Sequence, residues 1–209
     1  MVRLIISNRA KEEAKRLAFD IEAAISKILQ YVSGKDLTGL DHIFVTDLPA
    51  RKWKHLANEA WASYFEKNRK SEAHIELYLK PILKHIQSPE SLSHMLAVQY
   101  VGMAETIFHE IGHHVERTRS HGVKKSMREE YADSYSKQVL NNYVLENAGS
   151  VNACFDHLEQ IADERGIPKD KISTMRAGWE KQYKAALHQS RRLNPSQGKR
   201  NGRGGGVTH

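Results

Sequence analysis

Apolar positions along this chain change their period partway through. From Asn8, which can cap a helix, Ala14, Leu17, Ala18, Ile21, Ala24, Ile25, Ile28 and Leu29 recur at three- and four-residue steps, which predicts one long helix. Gly34 stands where a helix-ending glycine belongs. His42 to Thr46 then reads as a strand, stopped by Asp47 and Pro49. Trp61–Phe65 and Ile75–Leu79 alternate in the manner of strands, and the polar stretch Glu66–Ser71 lies between them in a long connection. From about Glu90 the period is helical. Val101, Ala104, Ile107, Phe108, Ile111 and Val115 form one stripe, followed by a loop with His121 and Gly122. Further helices are expected from about Met127 to Glu146, Val151 to Arg165 and Ile172 to Gln189, the last two separated by Gly166 and Pro168. A helix, a few strands and a run of helices make an α+β layout, with the strands covered on one face.

Composition narrows the classes. A chain of 209 residues is one comfortable domain, and no apolar run approaches the ~18 residues of a membrane span. Met1 to Asn8 is too short an apolar stretch for a secretory signal, so the cytoplasm is expected. The single cysteine, Cys154, excludes an internal disulfide and any multi-cysteine zinc site; beside Phe155 it is expected to be buried and inert. Tyr131, Tyr135, Tyr143, Trp53, Trp61 and Trp179 are expected to be core or interface aromatics.

The net charge of +7 does not describe a folded face. Seven of the 32 Lys and Arg lie in residues 181–209, where there is no acid, leaving 25 bases against 25 acids over residues 1–180. The expected organisation is a single domain over 1–190 and a disordered, basic, Gly-rich tail over 191–209. Contact with nucleic acid is expected only through that tail, weakly and salt-dependently.

Chemistry concentrates in the second half. Residues His109-Glu110-Ile111-Gly112-His113 spell HExxH inside the amphipathic helix that ends near Val115. At about 100° per residue the two histidines differ by about 40° in azimuth and one turn in height, so both imidazoles can reach one metal ion. The pair projects about 160° from the centre of the apolar stripe. Glu110 lies near enough to reach a water at the metal without being a ligand. A catalytic zinc needs a third protein ligand and an open fourth position. A third histidine six residues on is ruled out, because position 119 is Arg. Glu129 and Asp133 follow on the next helix, one turn apart. One carboxylate can complete the metal shell while the other accepts from a ligand imidazole; Glu130 and His121 are the alternative third ligands. His114, about 100° from His113, is expected to face solvent or to sit behind the ligands. For steadying a developing oxyanion, His121, His157 and a tyrosine stay equal candidates.

HExxH followed by Glu-x-x-x-Asp resembles the gluzincin metallopeptidases. The stretch Glu129-Glu130-Tyr131-Ala132-Asp133-Ser134-Tyr135-Ser136 is similar to the Glu-x-x-Ala-x-x-Phe-Ala segment of ImmA/IrrE-type peptidases and minigluzincins, although Gln138-Val139-Leu140-Asn141 replaces the ending Leu-Met-Pro. The resemblance covers about residues 105–136 closely and 40–105 only in architecture. It implies a zincin-like fold, a small mixed sheet packed on the HExxH helix ahead of a helical C-terminal half. It implies one zinc ion per chain held by His109, His113 and Glu129, with Glu110 as general base and Asp133 behind His109. It also implies an edge strand along which a peptide or protein substrate lies. The rival expectation is a zinc-stabilised regulatory module without activity, with the basic tail near nucleic acid. Retention of Glu110 speaks against it, since a purely structural site needs four ligands and no base.

Overall fold

The computed structural model describes residues 2–48, 60–83, 89–119, 124, 127–166 and 168–193. The elements in order are β1 (Arg3–Ile6), α1 (Asn8–Arg16), α2 (Ile21–Leu29), β2 (Leu40–Thr46), β3 (Ala62–Phe65), β4 (Ala73–Tyr78), α3 (Leu79–Leu83), α4 (Pro89–Arg119), α5 (Arg128–Arg165) and α6 (Lys169–Leu193). The class is α+β: a four-stranded mixed sheet and a helical C-terminal half. No described helix is long and apolar enough to cross a membrane.

The sheet runs β1-β2-β4-β3, parallel through its first three strands and antiparallel at β3. β3, which pairs Tyr64 with Ile75 and Ala62 with Leu77, is an edge. Ile43, Val45, Ile75 and Leu77 are fully buried, one side chain in two, which is how a pleated strand covers a core on one face. Against them lie Ala104, Ile107, Phe108, Ile111 and Val115, the expected stripe of α4; the side chain of Val101 lies outside the described residues.

Four expectations need correction. The single N-terminal helix is two. α1 ends at Leu17, Ala18 takes a positive φ of 51°, and Asp20 starts α2 by accepting from the Ala23 amide at 2.9 Å. Buried apolar side chains continue across the break (Ala14, Leu17 and Ile21), so the periodicity alone does not reveal it. Ser7 caps α1 rather than Asn8, its hydroxyl accepting from the Ala10 amide at 3.2 Å. Gly34 ends no helix and has no positive φ; α2 stops at Gln30. The fourth correction is the division expected near residues 147–150. α5 is one helix of 38 residues: Ala148 and Val151 stay buried, and Asn147 donates to the Tyr143 carbonyl at 2.8 Å. Nothing approaches a side chain built at Gly149, so that glycine sits exposed within the helix.

β1, four residues long, is an addition to the expected strands. Gly166 does end α5 in the left-handed region, φ 62°, and α6 then runs back along α5, with Arg176 against Asp156 and Trp179 against Asn152. α6 reaches Leu193, three residues into the segment expected to be tail; the basic Gly-rich stretch beyond it lies outside the described residues, as do Trp53, His121 and Gly122.

Candidate metal centre

Two helices crossing at close range build the site. Gly112 of α4 faces Ala132 of α5, and a Cβ at Gly112 would lie 2.8 Å from the Ala132 Cα and 2.9 Å from its carbonyl oxygen. Only glycine lets the backbones approach that closely. His109 and His113 flank Gly112 on one helix, and Glu129 and Asp133 flank Ala132 on the other. The crossing therefore sets how far the carboxylates stand from the imidazoles. Its energetics are testable. In an isolated helix Gly→Ala gains about 1 kcal/mol, whereas forcing a methyl into a filled contact costs about 1–3 kcal/mol. Gly112→Ala is expected to lower the thermal midpoint and weaken zinc binding at least tenfold, read by calorimetry and metal titration; a stabilised variant with unchanged affinity would refute the role of the crossing.

The His109 Nε2, His113 Nε2 and Glu129 Oε2 atoms form a triangle with edges of 3.1, 3.4 and 3.6 Å. Ligands about 2.0–2.1 Å from a tetrahedral zinc stand about 3.3–3.4 Å apart, so this donor set fits such an ion. These three residues are the ones that converge as possible metal ligands among the described residues. Glu130, one residue on, is not among them. Asp133 Oδ1 lies 3.0 Å from His109 Nδ1. An Nδ1–H donating to that carboxylate leaves the Nε2 lone pair directed into the triangle. Burial holds the His113 imidazole below its ordinary pKa, which favours the neutral, ligating form.

Glu110 stands beside the triangle. Burial pushes its carboxyl up to about 7, against the pull of His109 and of the Tyr64 amide, which donates to it; the charge of Glu129 pushes the same way as burial. A carboxyl poised there exchanges a proton at neutral pH.

The triangle opens on a cleft of about 720 Å³ walled by Ala62, Ser63 and Tyr64 of β3, by His109, Glu110, His113, Glu116 and Arg117 of α4, and by Glu66, Arg128 and Glu129. A second hollow of about 480 Å³ shares Ala62, His109 and Glu110 and extends past Trp61, Gly102 and Thr106. Together they follow the outer edge of β3 and meet at Ala62, His109 and Glu110.

His114 corrects an expectation: it does not face solvent. It is 1% exposed, with Nε2 3.0 Å from the Thr38 carbonyl and Nδ1 3.2 Å from the Tyr64 hydroxyl. Nε2–H donates to the carbonyl, so Nδ1 accepts from Tyr64. Burial raises the Tyr64 phenol to about 12, keeping it a donor at neutral pH. Tyr64 thus braces both sides of the site, with its amide on Glu110 and its ring on His114. His157 cannot steady an oxyanion here. It lies on the same helix as Glu129, 28 residues on, which is roughly 42 Å. Tyr143 and Trp179 are buried as expected, Trp61 lies over Gly102, and burial raises the Cys154 thiol, keeping it unreactive.

Sequence reasoning did not single out Tyr64, Glu66, Glu116, Arg117 or Arg128. Glu116 and Arg117 follow His113 by three and four residues and share its face, a signal present in the spacing. Nothing in the local pattern marks Tyr64 or Glu66, which arrive through the sheet. No protein-family model, curated protein or solved structure matches the chain.

Proposed function

We propose that this protein is a zinc-dependent endopeptidase with a zincin-like arrangement of sheet edge and HExxH helix. The observation that carries the reading is the triangle of His109, His113 and Glu129, sized for a tetrahedral ion, with Glu110 next to it and Asp133 behind His109. Zinc held there supplies an acidified water and an electrophile for the scissile carbonyl. The chain's own residues do the rest. Glu110 takes a proton from the attacking water and passes it to the leaving amine. Asp133 fixes the tautomer of His109, and the Tyr64 amide fixes the Glu110 carboxylate. Peptide main chain lies along the outer edge of β3, where the backbone groups not taken up by the sheet or by Glu110 give affinity with little dependence on side chains. Glu110 is needed for this chemistry and superfluous in a structural site, which favours the enzyme over a silent module.

The test is cleavage of a mixed peptide library and an unfolded protein by the zinc-loaded chain, with and without a chelator. Cleavage abolished by the chelator and restored by zinc is expected. Loss of all chelator-sensitive cleavage at full zinc occupancy would refute the proposal.

A further inference from the structure

Beyond the metal ligands the main cleft ends in four charged side chains, Glu66, Glu116, Arg117 and Arg128. Their pairing is uneven. Arg117 and Glu66 form a hydrogen-bonded ion pair. Among the described residues Arg128 has no such bond: the nearest carboxylate oxygens, on Glu66 and Glu116, both stand 3.9 Å away. That is about an ångström longer than the usual N–H···O hydrogen bond. Its Nε is buried without a hydrogen-bond partner, and so is Oε2 of Glu116, a side chain only 1% exposed.

A guanidinium that served only as counter-ion to a buried carboxylate would close on it, because both groups lose water and gain nothing by standing apart. Glu116 instead holds the charge of Arg128 from below without consuming its donors. The Arg128 side chain keeps 29% exposure, in the cleft, one residue before Glu129. Its planar fork matches a carboxylate. The two neighbouring acids disfavour a dianion, so a singly charged group is the better fit.

We infer that Arg128 is an anion-binding group of the cleft, and that the substrates are peptides presenting a carboxylate beside the scissile bond. The carboxylate belongs to an acidic side chain or to the C-terminus of the peptide. This inference rests on the peptidase reading.

Peptide hydroxamates, which anchor on zinc whether or not the protein turns over, provide the test with the zinc-loaded full chain. One set is amidated at the C-terminus and carries Glu or Gln at each position in turn, on either side of the zinc-binding group. Another carries Gln and a free C-terminal carboxylate. The quantity read is the affinity ratio of each acid to its neutral counterpart, within one variant. The expected ratio is about ten at one position, or at the free C-terminus. It falls to about one in Arg128→Gln, and Arg128→Lys restores part of it. A misplaced or unfolded variant loses zinc and the neutral probes together, whereas loss of charge recognition changes only the ratio. Two results overturn the inference: equal affinity of acid and neutral probes for the wild type, or a preference that survives Arg128→Gln with zinc retained. If the wild type binds no zinc, or binds zinc and none of the probes, the peptidase reading itself fails and the role of Arg128 falls with it.

Discussion

Glu129→Ala is expected to lower zinc affinity by more than 100-fold, while Glu130→Ala leaves it within a few-fold of the wild type. Glu129 Oε2 stands 3.4 Å from His109 Nε2 and 3.6 Å from His113 Nε2, so its removal takes an anionic donor from a three-ligand set. Glu130 is rotated about 100° around α5 and belongs to no convergent group. Asp133→Ala is expected between the two, with a loss of about 10- to 100-fold, because it orients His109 without touching the metal. Competition with a chromophoric chelator measures all three. A reversed order for Glu129 and Glu130 would put the metal on another face of α5 and would detach Asp133 from His109.

The second large effect is on turnover without an effect on metal. Glu110→Gln keeps the volume and a hydrogen-bonding oxygen for the Tyr64 amide, but it cannot accept a proton. Activity on a cleaved peptide is expected to fall at least 100-fold, within the range that general-base removal costs. Zinc should stay near one per chain, since Glu110 is outside the triangle. If Glu110→Gln cleaves at the wild-type rate with zinc bound, the proton passes elsewhere and the proposed role of Glu110 is wrong.

What the chain reveals before folding is uneven, for physical reasons. The HExxH helix and its stripe follow from local spacing, as does the face shared by Glu129 and Asp133. Those are short-range relations on single helices, and the crossing brings the two faces together. The break after Leu17 is hidden because the apolar residues on its two sides enter the same core, while Ala18 takes a conformation usually left to glycine. The reverse occurs at Asn147–Ser150, where a loop-like composition stays helical because tertiary packing buries Ala148 and Val151. Of the two places expected for His114, solvent is the one the fold rules out. His114 follows Ile107 by seven residues and Ile111 by three, which places it at the edge of the buried stripe of α4, where the Thr38 carbonyl and the Tyr64 hydroxyl satisfy its ring. Its burial is legible in that spacing, whereas the distant groups that bond its ring are not.

In the proposed site His109, His113 and Glu129 hold one zinc ion with a position left open for water. Metal analysis of the purified chain together with an anomalous-scattering map at the zinc edge tests it most directly. One zinc per chain is expected, bonded to His109 Nε2, His113 Nε2 and a Glu129 oxygen and to no fourth protein atom, with Asp133 on His109 Nδ1. Zinc bound by four protein side chains, or a chain that takes up no zinc with this triangle intact, would contradict it.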